Sequence, residues 1–205
     1  MLIHPWDAAH DENEWRDWLR TRDFGQLAAN GVDGGPPVVV PTHFLFDGSA
    51  VLLHLARPNP IWAALEAGPL VVVSVHDDYA YIPSGWRSDV PEHGVPTSYY
   101  ASVQLTCQAR IVDDKEGKAE ILRRQLGHHQ PGGGYGEVAA DAGPYHRNLS
   151  AIRGLRLEVT EVRAKFKYDN QRPVEFRERI AAELAERDLP GDAGARAQQL
   201  RRMGA

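Results

Sequence analysis

Apolar and polar positions fall in blocks along this chain, and the period of each block predicts an element. Near the start Trp15, Trp18 and Leu19 recur at helical spacing among charged residues, which predicts a short amphipathic helix from about Asp11 to Arg20. A period of two takes over next. Phe24 to Ala29 and Val38 to Leu45 flank Asn30-Gly31-Val32-Asp33-Gly34-Gly35-Pro36, whose glycines supply the positive φ of a hairpin turn. A third strand, Ala50 to Leu55, follows the tight Asp47-Gly48 turn. Leu70 to Val75 is almost unbroken apolar sequence, as expected of a central strand covered on both faces, and Tyr79 to Ile82 can extend it. Ser102 to Val112 alternates again, and Leu155, Leu157 and Val159 mark a last long strand.

Helices are predicted at three later places. Asp113-Asp114 opens one through about Leu126, with Ile121 and Leu122 inward. Val174 to Arg187 carries Phe176, Ile180 and Leu184 on one stripe, and Ala195 to Met203 reads as a weakly held terminal helix. The stretch Gly127 to Gly136 is too rich in glycine for regular structure. No Lys-Ser/Thr pair follows it, which excludes a phosphate loop and leaves a mobile surface loop, with His128 and His129 solvated beside it. About six strands joined by mostly short antiparallel connections predict an α+β protein, a closed or split β-barrel with peripheral helices. A chain of 205 residues fits one domain, here residues 1–190, with a C-terminal helical tail over 191–205.

The most informative stretch is His54-Leu55-Ala56-Arg57-Pro58-Asn59-Pro60-Ile61-Trp62, which ends a strand, turns and starts a helix within nine residues. Asn59 is a good N-cap and Pro60 falls where proline is tolerated best, so a helix is expected from about Pro60 to Ala67, stopping at Gly68. Two readings follow. The helix N-terminus and the fork of Arg57 can hold a phosphate, or the segment is an ordinary turn with Arg57 solvated.

Charge and cysteine content narrow the rest. The net charge of −5 gives no general attraction to nucleic acid, and the basic residues Arg196, Arg201 and Arg202 read as a solvated helix face among acidic neighbours. The lone Cys107 excludes an intramolecular disulfide and sits on the apolar face of a strand as a small buried hydrophobe. No stretch approaches the ~20 apolar residues that cross a bilayer, and the first residues lack a signal-peptide pattern, so a cytoplasmic protein without membrane contact is expected. The nine histidines show no chelating spacing and no metal site is expected, although His54 and His43 are the axial ligands to test if the cofactor is haem. No sequence-local nucleophile and base stand out. Any redox chemistry would belong to a bound cofactor, with Tyr81, Trp86 and Tyr99 as ring-packing candidates and Lys165 and Lys167, on one strand face, as anion-binding candidates.

The sequence His54-Leu55-Ala56-Arg57, Asn59-Pro60 and Trp62, followed by Ala80-Tyr81-Ile82-Pro83-Ser84-Gly85-Trp86, Pro91-Glu92-His93-Gly94, Val95-Pro96-Thr97 and Lys165-Phe166-Lys167, resembles the PaiB family of flavin-binding split-barrel proteins over roughly residues 15 to 190. The family is similar in fold to pyridoxamine phosphate oxidases. The resemblance implies a homodimer that binds FMN between subunits, with Ala56, Arg57, Asn59, Tyr81, Trp86, Thr97, Lys165 and Lys167 as cofactor-binding residues. It also implies a small-molecule ligand and either a redox output or a role as a negative transcriptional regulator. The chain departs from the family pattern at Gly85-Trp86-Arg87, Ser98-Tyr99-Tyr100 and Tyr168-Asp169, all near the expected ring end. Haem is the alternative cofactor, since haem-dependent relatives such as piperazate synthases use the same fold.

Overall fold

The computed structural model describes residues 1–204. Among the described residues, five α-helices and seven strands follow one another in this order: α1 (Glu12–Arg20), β1 (Phe24–Ala29), β2 (Val38–His43), β3 (Leu45–Phe46), β4 (Ala50–Ala56), α2 (Ile61–Ala67), β5 (Leu70–Ile82), β6 (Thr97–Val112), α3 (Lys115–His129), β7 (Ile152–Lys167), α4 (Val174–Arg187) and α5 (Asp192–Arg201). The strands form one sheet in the order β2-β1-β5-β6-β7-β4-β3, the mainly antiparallel split-barrel, α+β architecture that the alternation predicts.

Two compact units divide the chain. One contains residues 1–15, 76–103 and 163–205, the other residues 16–75 and 104–162. The long strands β5, β6 and β7 contribute residues to both.

In the unit of residues 16–75 and 104–162, β1 pairs antiparallel with β2 from Phe24↔His43 to Ala29↔Val38, and with β5 from Gln26↔Ser74 to Ala29↔Val71. β4 pairs antiparallel with β7, setting His54 opposite Gly154. A Cβ on Gly154 would come within 2.8 Å of Ile121 Cδ1, so this glycine lets α3 lie close to the strand at the level of His54. Leu27, Val51, Leu53, Leu105, Cys107, Leu155 and Leu157 are buried and form the apolar interior that the alternation predicts. Burial pushes the Cys107 thiol up to about 12, with the Glu158 carboxylate adding to the effect, so the thiol stays protonated and inert.

α3 departs from the expectation. Asp114 caps it by accepting a hydrogen bond from the Gly117 amide at 2.7 Å, but the helix runs on to His129 instead of ending near Leu126. Gly127 is therefore helical. A single helical glycine costs about 1 kcal/mol, which the packing of Leu122 and Leu126 against Ala119, Val138, Ala140 and Leu149 offsets. The loop proper begins at Gln130, and Gly133 and Gly134 take positive φ there.

The strand over 70–82 also differs from its prediction. Val71, Val73 and Val75 are buried, whereas Leu70 is 55% exposed, so the run is covered mainly on one face. It continues through Asp78, at φ 54°, into Ile82 as a single strand.

In the other unit α4 spans the predicted residues, and α5 is far from weakly held. Gln199 Nε2 donates to Tyr99 Oη at 3.1 Å, and Arg177 donates to the Gln199 carbonyl at 3.2 Å. Arg202 is buried, pairing with Glu14 at 2.5 Å, and Arg201 reaches the same carboxylate at 2.7 Å. Burial opposes the charged form of Glu14, but the His10 amide and the two arginines outweigh it and hold the carboxyl below its usual range. The expected solvated basic face is a set of anchors, because the partner carboxylate lies almost the whole chain away in sequence.

Candidate functional site

The turn after β4 is locked by its own side chains. Asn59 Oδ1 accepts from the Ile61 amide at 3.1 Å and Asn59 O from the Trp62 amide at 3.4 Å, so Asn59 caps α2 as its residue type predicts. The Ala56 carbonyl accepts from both Trp62 Nε1 at 2.9 Å and the Asn59 amide at 3.0 Å. Arg57 lies at the surface, its Nε donating to the Ser150 carbonyl at 3.0 Å and its Nη2 to Asp113 at 3.2 Å. Arg153 completes the arrangement. It donates to Asp113 through Nε and Nη2 and to Glu66 through Nη1, the last two at 2.6 Å, and its guanidinium carbon lies 4.9 Å from the Trp62 ring centroid. Hydrogen bonds from Arg153 hold the Asp113 carboxyl below its usual range; burial opposes them, and the charges of Arg153 and Arg57 add to the lowering.

The expectation of a helix N-terminus with free N–H donors for a phosphate needs correction. The first amides of α2 already have acceptors from Asn59, and α2 is only seven residues long. What the turn offers an FMN phosphate is charge from the exposed guanidinium of Arg57, shared at present with Asp113. The phosphate fits that donor set in charge and fork geometry.

Tyr81, Trp86, Thr97, Lys165 and Lys167 belong to the other unit. Tyr81 is 49% exposed, and its carbonyl accepts from Arg187 Nη1 at 2.8 Å. The guanidinium of Arg187 stacks 4.6 Å above the Trp86 ring, so one arginine touches the Trp86 ring and the Tyr81 backbone. Lys167 Nζ donates to Thr97 Oγ1 at 2.7 Å, and Lys165 Nζ to the Leu2 carbonyl at 2.9 Å. Burial and the neighbouring Lys165 charge lower the Lys167 pKa from its usual value. Tyr99 is fully buried and hydrogen-bonds Asp169 at 3.0 Å, which removes it from the ring-packing candidates.

A second constellation was not legible in the sequence. His54, His43, His129 and His128 form a run of edge-on ring contacts, with centroids 5.5, 5.2 and 4.9 Å apart in that order. His54 Nδ1 lies 2.6 Å from Gln125 Oε1, and Gln125 Nε2 reaches the Leu52 carbonyl at 3.5 Å, which fixes the amide orientation. In that orientation the Gln125 carbonyl oxygen faces Nδ1, which suits the imidazole tautomer with its proton on Nδ1 and its lone pair on Nε2. His129 Nδ1 lies 3.2 Å from the Asp23 carboxylate. Burial and the charges of His54 and His129 lower the His43 pKa, with Asp23 opposing. The expectation that His128 and His129 are simply solvated fails for His129, because its backbone is helical and its ring packs against His43.

Comparison with known proteins is consistent with this architecture. The model of the family described as Putative FMN-binding domain matches residues 1–161, and the chain belongs to that family. Among solved structures, the FAD and haem binding protein from Mycobacterium smegmatis superposes with a TM-score of 0.63 at 22% identity, over 86% of this chain and 80% of that one. The flavocytochrome Anf3 from Azotobacter vinelandii superposes with a TM-score of 0.59 at 24% identity, over 79% of this chain and 70% of that one. These likenesses bear out the split-barrel fold. The sequence matches no curated protein. Among the described residues, no helix is long and apolar enough to cross a membrane.

Proposed function

We propose that the protein binds FMN, holding its phosphate at Arg57 with Asn59 and Ala56 fixing the turn, and that the bound flavin serves redox chemistry. The family match carries this reading, because residues 1–161 include Ala56, Arg57, Asn59, Tyr81, Trp86 and Thr97. Lys165 and Lys167 lie beyond the match, and their part rests on their charge and on the Lys167–Thr97 hydrogen bond. The isoalloxazine would supply the electron transfer. The chain's residues bind and orient: in the unit of residues 16–75 and 104–162, Arg57 neutralises phosphate charge.

Small split barrels leave little interior volume, so we place the flat ligand at the boundary of a homodimer, in a cytoplasmic protein. Light scattering at micromolar concentration should give twice the chain mass, and a monomer would overturn this. FMN titration by fluorescence quenching should show much tighter binding than riboflavin. Equal affinities, or none, would overturn the flavin reading. Arg57→Ala should weaken FMN binding by about 1.5–3 kcal/mol, the range for charge-assisted bonds. Asp113→Asn, which frees Arg57 from its carboxylate, should strengthen it.

One observation favours haem as a second reading. Gln125 Oε1 lies 2.6 Å from His54 Nδ1 and suits the tautomer that presents Nε2 as a lone-pair donor, the second-sphere arrangement found for metal-bound imidazoles. Two structures of similar fold are described as a haem binding protein and a flavocytochrome. A Soret band on reconstitution with haemin, lost in His54→Ala, would favour this reading over FMN alone. A regulatory output acting through DNA finds no support in the charge balance of −5.

A further inference from the structure

The outer half of the histidine constellation has donors that neither the flavin nor the haem reading uses. Asp23 sits immediately before β1, and His128 and His129 close α3. One ligand atom from each of the three lies within 4.8 Å of the others, with Asp23 Oδ2 4.0 Å from His128 Nε2 and 3.2 Å from His129 Nδ1. We propose that Asp23, His128 and His129 form a binding site for a transition-metal dication of the zinc type.

The donor set selects the ion. Two imidazoles and one carboxylate suit zinc and its neighbours, whereas calcium and magnesium take oxygen ligands. Bonds of about 2.0–2.1 Å in a tetrahedral shell put neighbouring ligand atoms roughly 3.3 Å apart. Closing from the present spread needs only side-chain rotation, and Asp23 and His128 are exposed enough to rotate. The second observation is at His129. Its Nδ1 is the ring nitrogen turned toward the Asp23 carboxylate, at 3.2 Å, and edge-on contacts with the His43 and His128 rings hold the imidazole in that orientation.

The place also favours a cation. His128 and His129 form the last turn of α3, where the partial negative charge of the helix C-terminus adds to that of Asp23. Three protein ligands leave one position of a tetrahedral shell open for water or an exchangeable ligand.

The competing account is an ion pair between Asp23 and protonated imidazole, with no affinity for metal. Untagged full-length protein, stripped with a chelator, should bind one equivalent of Zn²⁺ by calorimetry and give visible d–d bands with Co²⁺. Affinity should fall at least ~10-fold in Asp23→Asn and in His129→Ala, by analogy with the loss on removing outer-sphere partners, and stay unchanged in His54→Ala. His128→Ala, at an exposed position, gives a second ligand deletion that leaves the fold intact by circular dichroism. No binding would overturn the proposal, as would binding indifferent to the Asp23, His128 and His129 substitutions, or binding lost equally in His54→Ala. Flavin titration of the same variants should be unaltered, which separates this site from the proposed FMN site.

Discussion

The Arg57 turn and the histidine constellation belong to the same compact unit and are built in opposite ways. The turn comes from nine consecutive residues, and its polar groups are engaged locally: Asn59 caps α2, the Ala56 carbonyl takes two donors, and Arg57 leans on Asp113. The histidines arrive from β2, β4 and the end of α3, and His129 Nε2 has no hydrogen-bond partner among the described residues. A contiguous motif is easy to read, yet much of its polarity serves its own conformation. Scattered residues are hard to read, yet they leave donors available to a ligand.

The largest effect that sharpens this contrast is expected at Arg153, the residue that holds the turn together. Its side chain is only 15% exposed, bridges Asp113 and Glu66, and covers Trp62. Arg153→Ala should cost about 2–3 kcal/mol of stability in urea unfolding, from lost charge-assisted bonds and lost packing of its stem. A loss below about 0.5 kcal/mol, the scale of an exposed ion pair, would mean that the turn holds itself without Arg153.

Gln125 tests the other region. It is 2% exposed and holds the His54 ring at 2.6 Å, so Gln125→Leu leaves a ring nitrogen without its partner. The expected cost is about 1–2 kcal/mol, and the His54 imidazole should lose its fixed tautomer by ¹⁵N NMR. An unchanged tautomer would show that the amide does not set it.

How much of this could be read beforehand follows from what each residue depends on. β1 at Phe24–Ala29 and α4 at Val174–Arg187 match their predicted spans, because apolar period and local caps decide them. Arg57, Asn59 and Ala56 were legible for the same reason. Arg153 was not, since its partners Asp113 and Glu66 lie 40 and 87 residues away. The helical state of His128 and His129 was hidden by the glycines around them, whose cost is offset by apolar contacts from Val138 to Leu149. Arg202 read as solvated because nothing near it in sequence reveals Glu14.

A smaller effect, in the same unit as both regions, concerns acid stability. Burial raises the Asp47 pKa, but amides of Ala50 and Ser49, the Ser49 hydroxyl and Arg124 outweigh it and bring the carboxyl from 3.8 to about 2. A depressed carboxyl stabilises the fold above its unfolded value and loses that contribution as pH falls through the folded value. After solvent screening, about 1 kcal/mol should vanish between roughly pH 4 and 2, and Asp47→Asn should flatten that part of the stability profile. An unchanged profile would show that other carboxylates carry the acid transition.

The smallest expected effect is the stability change on removing Arg57 itself, and it decides what that residue is for. Its ion pair with Asp113 is half exposed on both sides, 47% and 46%, and Arg153 holds the same carboxylate more closely. Exposed pairs of this kind contribute about 0–1 kcal/mol, so Arg57→Ala should change urea stability by no more than roughly 0.5 kcal/mol while weakening FMN binding by far more. That separation is the signature of a binding residue. If stability falls by 2 kcal/mol or more and FMN affinity does not move, Arg57 is a structural part of the turn, and the contrast between an engaged motif and an available cluster becomes complete.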